Sequence, residues 1–209
     1  MLLFGHIGIT VGVAKACDIL LSMAEPDNSQ ESGSRSKITA VIGKWRLKLY
    51  SWLSRIKSRL NPIDYRLVLL GSFLPDIIDK TVFLLAGDRA SLSGRDYAHT
   101  LVFNLVLLVG GLILLRYRKS WLLIISISSF THLILDQMWG SLVTLLWPLL
   151  GPLVKGELAG WLSGIWYGLL ASPELYIPEI IGLAILLVFA YRLVKGKSLI
   201  SFVRSGSAV

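Results

Sequence analysis

The stretch SFTHLILDQMW, residues 129–139, places two ionisable side chains in an apolar run. His132 and Asp136 are four residues apart, so both lie on one face if the run is an α-helix. An imidazole and a carboxylate in so apolar a segment cost free energy unless they are paired, hydrated or bound to a metal ion. The spacing therefore predicts that one helix offers two ligands to one site.

Further histidines and carboxylates fall inside or at the ends of other apolar segments. The motif LPDIIDK places Asp76 and Asp79 three residues apart, which again suits one helical face. The complete set of expected metal ligands is His6, Asp76, Asp79, His99, His132, Asp136 and Glu179. Imidazole and carboxylate ligands without thiolates suit Zn²⁺, with Mn²⁺ or Fe²⁺ as alternatives, and seven candidates predict more than one ion.

The composition is that of an integral membrane protein. Of 209 residues, 54% are hydrophobic and only 16% are charged. The net charge of +8 is concentrated in short segments between apolar runs, so we expect membrane topology and no nucleic-acid partner. One domain, residues 1–209, is expected to form an all-α, polytopic bundle of about five transmembrane helices. The apolar segments lie at about 2–24, 66–86, 99–115, 121–136 and 177–194.

The distribution of basic residues predicts the orientation in the membrane. Nine Lys and Arg lie within 25–66, three within 116–119 and four after Tyr191. By the positive-inside rule these segments are cytoplasmic, with the N-terminus outside and the C-terminus inside an inner or plasma membrane. This topology brings all seven candidate ligands to the outer face, which favours a shared metal site.

Individual candidates also have ordinary structural interpretations. A single histidine on an apolar face is often a hydrogen-bonded interior residue. Asp76 follows Pro75 and could begin a helix as its N-cap, whereas Asp79 and Lys80 could pair with neighbouring side chains. The convergence of seven groups outweighs these separate interpretations.

The segment 25–62 is expected to be a polar and amphipathic cytoplasmic insertion. Within it, residues 44–60 place Trp and Leu side chains on one helical stripe that Lys and Arg flank. Such a basic amphipathic helix is typical of one that lies on an anionic membrane surface, and membrane lipids are therefore expected partners. A partner helix for a calmodulin-like protein is the alternative.

Three motifs and an early histidine carry a family resemblance. They are GSFLPDIIDK at 71–80, GRDYAHTLVF at 94–103, HLILDQMWGSLVTLLWPLLG at 132–151, and His6. In order and spacing they resemble the YdjM-like, LexA-regulated family of membrane-bound metal-dependent hydrolases. The resemblance matches Arg95 to a basic residue of the family. It also implies metal-ligand roles for His6, Asp76, Asp79, His99, His132 and Asp136.

We therefore expect an enzyme, a phosphoesterase that uses metal-activated water on a lipid-linked or membrane-surface substrate. The expected catalytic residues are Asp79 and Asp136, one of which accepts a proton, with Lys80 and Arg95 holding phosphate oxygens. An ion or metal transporter is the first alternative, because intramembrane His and Asp also mark ion pathways. A non-catalytic membrane scaffold is the second.

Overall fold

The computed structural model describes residues 3–23, 63–86, 93–153 and 161–208. Within these ranges the regular elements are helices, and no strand is present. The α-helices are α1 (Leu3–Met23), α2 (Tyr65–Ala86), α3 (Leu101–Arg116), α4 (Trp121–Leu135), α5 (Leu142–Leu145), α6 (Trp161–Ala171), α7 (Pro173–Lys195) and α8 (Leu199–Ser205), and a short 3₁₀ helix spans Met138–Gly140. The all-α prediction is confirmed for this part of the chain, whereas the amphipathic segment 44–60 lies outside the described residues.

The helices differ in whether they are long and apolar enough to cross a membrane. Among the described residues one helix, α7, is long and apolar enough by itself, while α3 and α4 are apolar but shorter. In α2 the apolar run is interrupted by three charged residues of the candidate site, Asp76, Asp79 and Lys80. The expected count of five transmembrane helices is therefore not confirmed. The helical bundle and the order of its helices along the chain are as predicted.

Several helix ends differ from the predicted ends for local reasons. Thr100 caps α3 by accepting the amide hydrogen of Phe103 at 3.1 Å, so His99 lies in the preceding loop rather than on the helix. Asp136 is the C-cap of α4, and Gln137 then ends the helix in the left-handed conformation, with φ of 53°. The N-cap interpretation of Asp76 is wrong, because α2 continues through Pro75.

The α4 helix packs against α1, α2 and α3, and α1 runs beside α7. Val11, Tyr65, Val68 and Ile124 form the apolar core where the first, second and fourth helices meet. At Gly71, α2 approaches α4 so closely that a Cβ atom would lie 2.7 Å from the carbonyl oxygen of Ile125. This approach sets how closely the next residue of α2, Ser72, can lie to α4.

Gly71→Ala is expected to destabilise the protein because the added methyl group meets backbone rather than a movable side chain. The cost should be ~1–3 kcal/mol, the usual range for overpacking. Thermal unfolding of the purified protein in detergent measures it. Gly164→Ala on α6 is the matched control, since nothing lies within 4 Å of its added Cβ. Equal melting temperatures for the two variants would contradict the close approach of α2 to α4.

The C-terminal segment folds back onto the start of α2. The amide of Tyr65 donates to the carbonyl oxygen of Gly206 at 3.0 Å, and Arg66 donates to that of Val203 at 2.8 Å. The side-chain hydrogen bond from Arg66 lowers the pKa of the Asp64 carboxyl below its ordinary value. These contacts order one end of the bundle, three helical turns along α2 from Asp76.

Candidate metal centre

His132 on α4 is fully buried and has a fixed orientation. Its Nδ1 lies 2.7 Å from the carbonyl oxygen of Ser72 on α2. Because a carbonyl oxygen only accepts hydrogen bonds, Nδ1 carries the proton and Nε2 keeps its lone pair. His132 therefore presents Nε2 as a ligand atom, oriented by the backbone of a neighbouring helix.

His99 is a second fully buried imidazole, at the end of the loop 93–100. Its Nδ1 lies 2.7 Å from Oδ2 of Asp79. Asp79 also accepts the amide hydrogens of four consecutive residues, 96–99, at 2.8 to 3.2 Å. Hydrogen bonds to the charged form keep a carboxylate ionised. Asp79 therefore accepts a hydrogen bond from the Nδ1–H group of His99, whose Nε2 keeps its lone pair.

The Nε2 atoms of His99 and His132 face each other at 3.3 Å. With both Nδ1 protons donated elsewhere, two neutral rings would oppose their lone pairs at this distance. A cation between the rings removes the repulsion. Two ligand atoms that bind one ion at ~2.0–2.2 Å lie ~3–3.5 Å apart, so the observed separation fits a shared divalent ion.

Asp76 and Asp136 each direct an oxygen toward these Nε2 atoms. Oδ1 of Asp76 lies 3.7 Å from Nε2 of His99 and 3.9 Å from Nε2 of His132. Oδ2 of Asp136 lies 3.8 Å from Nε2 of His99. These separations are too long for hydrogen bonds but suit atoms that share an ion. The donor set of two imidazoles and two carboxylates fits Zn²⁺ and related divalent ions.

The α1 helix adds His6 to this cluster. Its ring stacks on that of His132 with centroids 4.0 Å apart, and its Nε2 lies 3.0 Å from Oδ1 of Asp136. His6, Asp76 and His132 form one possible ligand group, and His99, His132 and Asp136 form another, each with ligand atoms within 4.8 Å of one another. Because the two groups share the single Nε2 lone pair of His132, only one group can be complete at a time, and a second ion would depend on the remaining side chains.

Two cationic side chains stand at the exposed rim of this buried cluster. Lys80 Nζ lies 2.7 Å from Oδ2 of Asp76, and Nη2 of Arg95 lies 3.0 Å from Oδ2 of Asp136. The lysine and arginine side chains are 31% and 49% exposed, whereas their carboxylate partners are 3% and 2% exposed. An anion that approaches the cluster from outside would therefore meet positive charge first.

Two predicted ligands lie elsewhere. The oxygens of Asp79 accept hydrogen bonds from the loop 96–99 and from Nδ1 of His99, so this residue orients a ligand instead of facing the cluster. The oxygens of Glu179 accept the amide hydrogens of Phe4 and Gly5 at the start of α1. We expected all seven groups to converge as ligands, whereas the structure brings five of them together.

Sequence reasoning missed residues that hold the loop 93–100 in place. Asp96, which is 1% exposed, accepts the amide hydrogens of Ser93 and Gly94. Asn104 on α3 donates to two carbonyl oxygens of the loop and accepts from Ser129 on α4. Asn104 could have been found as a polar residue inside an apolar run. The carbonyl group of Ser72 gives no such signal, because every residue has one.

The helices and the buried His/Asp cluster define a helical protein with a candidate metal centre and at least one helix of membrane-spanning length. The model of the family described as YdjM inner membrane protein matches residues 1–200, so the chain belongs to that family and is a membrane protein. The resemblance carried by the sequence motifs is thereby confirmed. No curated protein and no solved structure matches the chain.

Proposed function

We propose that the chain is a membrane-embedded, metal-dependent hydrolase of phosphoester bonds. The observation that carries the proposal is the facing pair of Nε2 atoms on His99 and His132, with oxygens of Asp76 and Asp136 beside it. Zn²⁺ is the preferred ion, Mn²⁺ and Fe²⁺ are alternatives, and the side chains that a first ion leaves unused are the proposed ligands of a second. When bound, the ion would supply the charge that activates water and stabilises phosphoryl displacement.

The surrounding side chains support this chemistry. Asp136 is the proposed proton acceptor. Its Oδ1 lies within hydrogen-bond distance of His6, whose imidazole can also carry a proton. Arg95 and Lys80 are the proposed contacts for phosphate oxygens, since both are cationic and reach the cluster from its exposed rim. Asp79 is retained as a residue that positions His99 and no longer as a proton acceptor.

A lipid-linked or membrane-surface substrate is the proposed substrate class. Tyr97, in the loop that carries Arg95, packs edge-on against Trp147 with centroids 5.7 Å apart. The segment around this tryptophan exposes large apolar side chains, namely Trp139, Leu142, Val143, Leu149 and Leu150. An amphiphilic molecule could place its phosphate at the cationic rim and its chain along this apolar surface.

The position of the ligands along their helices supports a site near one membrane face. His6 lies in the first turn of α1, His99 precedes the N-cap of α3, and Asp136 directly follows α4, whereas Asp76 lies midway along α2. Together with the basic segments, this supports the proposed multi-pass topology with the N-terminus outside and the C-terminus in the cytoplasm. Transporter sites more typically lie near the midplane, so the placement favours the hydrolase over the transporter.

The proposal is tested with the full-length protein in detergent, zinc, and a chromogenic phosphodiester such as bis(4-nitrophenyl) phosphate. The wild type is expected to bind zinc and to hydrolyse the diester. Arg95→Ala should raise KM ~10-fold or more, because a charge-assisted hydrogen bond contributes ~1.5–3 kcal/mol, and should leave zinc stoichiometry unchanged.

The matched control is Arg118→Ala, which removes an exposed arginine from the turn between α3 and α4. It should leave KM and zinc binding at their wild-type values. A wild-type protein that binds no divalent metal would refute the proposed function. An unchanged KM in Arg95→Ala would refute only the assignment of this arginine.

A further inference from the structure

Glu179 on α7 caps the beginning of a different helix. Its Oε2 accepts the amide hydrogen of Phe4 at 2.8 Å, and its Oε1 accepts that of Gly5 at 3.1 Å. The first amide hydrogens of a helix have no partner within that helix, and its N-terminus carries partial positive charge. The buried carboxylate of Glu179 therefore satisfies the start of α1 by hydrogen bonding and by charge.

The same region contains a very close approach of α1 and α7. A Cβ atom at Gly5 would lie 2.6 Å from Oε1 of Glu179 and 3.3 Å from the carbonyl oxygen of Pro178. One turn further along, Gly8 and Gly182 meet so closely that a Cβ atom on either would overlap the backbone of the other helix. The glycine contact fixes the distance between the helices, and the carboxylate fixes their position along the common axis.

His6 directly follows the capped residues, so this arrangement determines where its imidazole lies. Its Nε2 meets Oδ1 of Asp136 at 3.0 Å, and its ring stacks on His132. We propose that Glu179 is a positioning residue, which acts through the start of α1 to hold His6 in the metal centre. The inference rests on the proposed function, because it requires the cluster to bind an ion.

The experiment is a zinc titration of the full-length protein in detergent, with a competing chelator to report affinity. Glu179→Ala is expected to lower zinc affinity ~10–100-fold, the usual effect of removing a residue that orients a ligand. Glu179→Gln should lower it less, because its amide oxygen still accepts one hydrogen bond. Glu174→Ala, at an exposed acidic position on the first turn of the same helix, should match the wild type.

A double-mutant cycle separates positioning from general loss of stability. In a His6→Ala background, Glu179→Ala should change zinc affinity by less than ~2-fold, because the residue through which it acts is gone. An equal loss in both backgrounds, or wild-type affinity in the single variant, would overturn the inference. If the alanine variant does not fold, Glu179→Gln carries the same comparison. Absence of zinc binding in the wild type would refute the proposed function itself.

Discussion

His132→Ala is expected to lower zinc affinity by at least ~100-fold and to abolish hydrolysis of a phosphodiester. The loss should exceed the ~10–100-fold typical of residues that only orient a ligand. His132 belongs to both possible ligand groups, and its Nε2 lies 3.3 Å from that of His99. The substitution therefore removes a ligand that both possible groups require. Zinc titration and metal analysis of the purified protein measure the effect.

Thr131→Ala, at the adjacent position on α4, is the matched control. The Thr131 hydroxyl donates to the carbonyl oxygen of Ile127 in its own helix, away from the cluster. Its removal should leave zinc affinity and hydrolysis unchanged. If His132→Ala kept the wild-type zinc affinity and stoichiometry, both ligand groups would be wrong.

Asp79→Asn should produce the second largest effect, a loss of zinc affinity of ~10–100-fold together with loss of hydrolysis. Asparagine keeps one acceptor oxygen, but its amide group would direct hydrogens at the amide hydrogens of residues 96–99. It also removes the charge that fixes the proton on Nδ1 of His99. The loop 93–100 should lose its order, and with it the direction of the His99 ring.

Zinc titration and thermal unfolding distinguish this role from direct catalysis. A carboxylate that served only as a proton acceptor would affect hydrolysis and leave zinc affinity unchanged, and that result would contradict the structural assignment of Asp79. Asp64→Asn is the control, because it removes another hydrogen-bonded carboxylate, just before α2, which contacts Arg66. It should not change zinc affinity.

The convergence of distant residues was predictable from the sequence, because hydropathy and basic segments together predict that these segment ends lie on one side of a membrane. His6, Asp76, His99, His132 and Asp136 were all found in this way, and the structure brings them together. The all-α class was predicted from the same apolar segments. These predictions succeeded because they rest on chain order and segment length, which tolerate errors of a residue or two at helix ends.

The sequence did not predict which carboxylates would face the histidines and which would accept hydrogen bonds from backbone amides. Asp76 and Asp79 are three residues apart and share a helical face, yet one points to the histidines and the other to a loop. The difference arises from backbone amide groups in residues 96–99, which have no signature in the side-chain sequence. Glu179 was misassigned for the same reason, since its partners are amide groups of Phe4 and Gly5.

The contact between His6 and Asp136 joins positions that are 130 residues apart in the chain. The ribosome must therefore synthesise α1, α2, the loop 93–100 and the whole of α4 before all five side chains of the candidate metal centre are present. A bound ion would act as a cross-link among these four parts and would stabilise the assembled bundle by mass action. Until Asp136 has been synthesised, the nascent chain therefore lacks a complete cluster. The α7 helix, which packs against α1, is synthesised only after all five side chains.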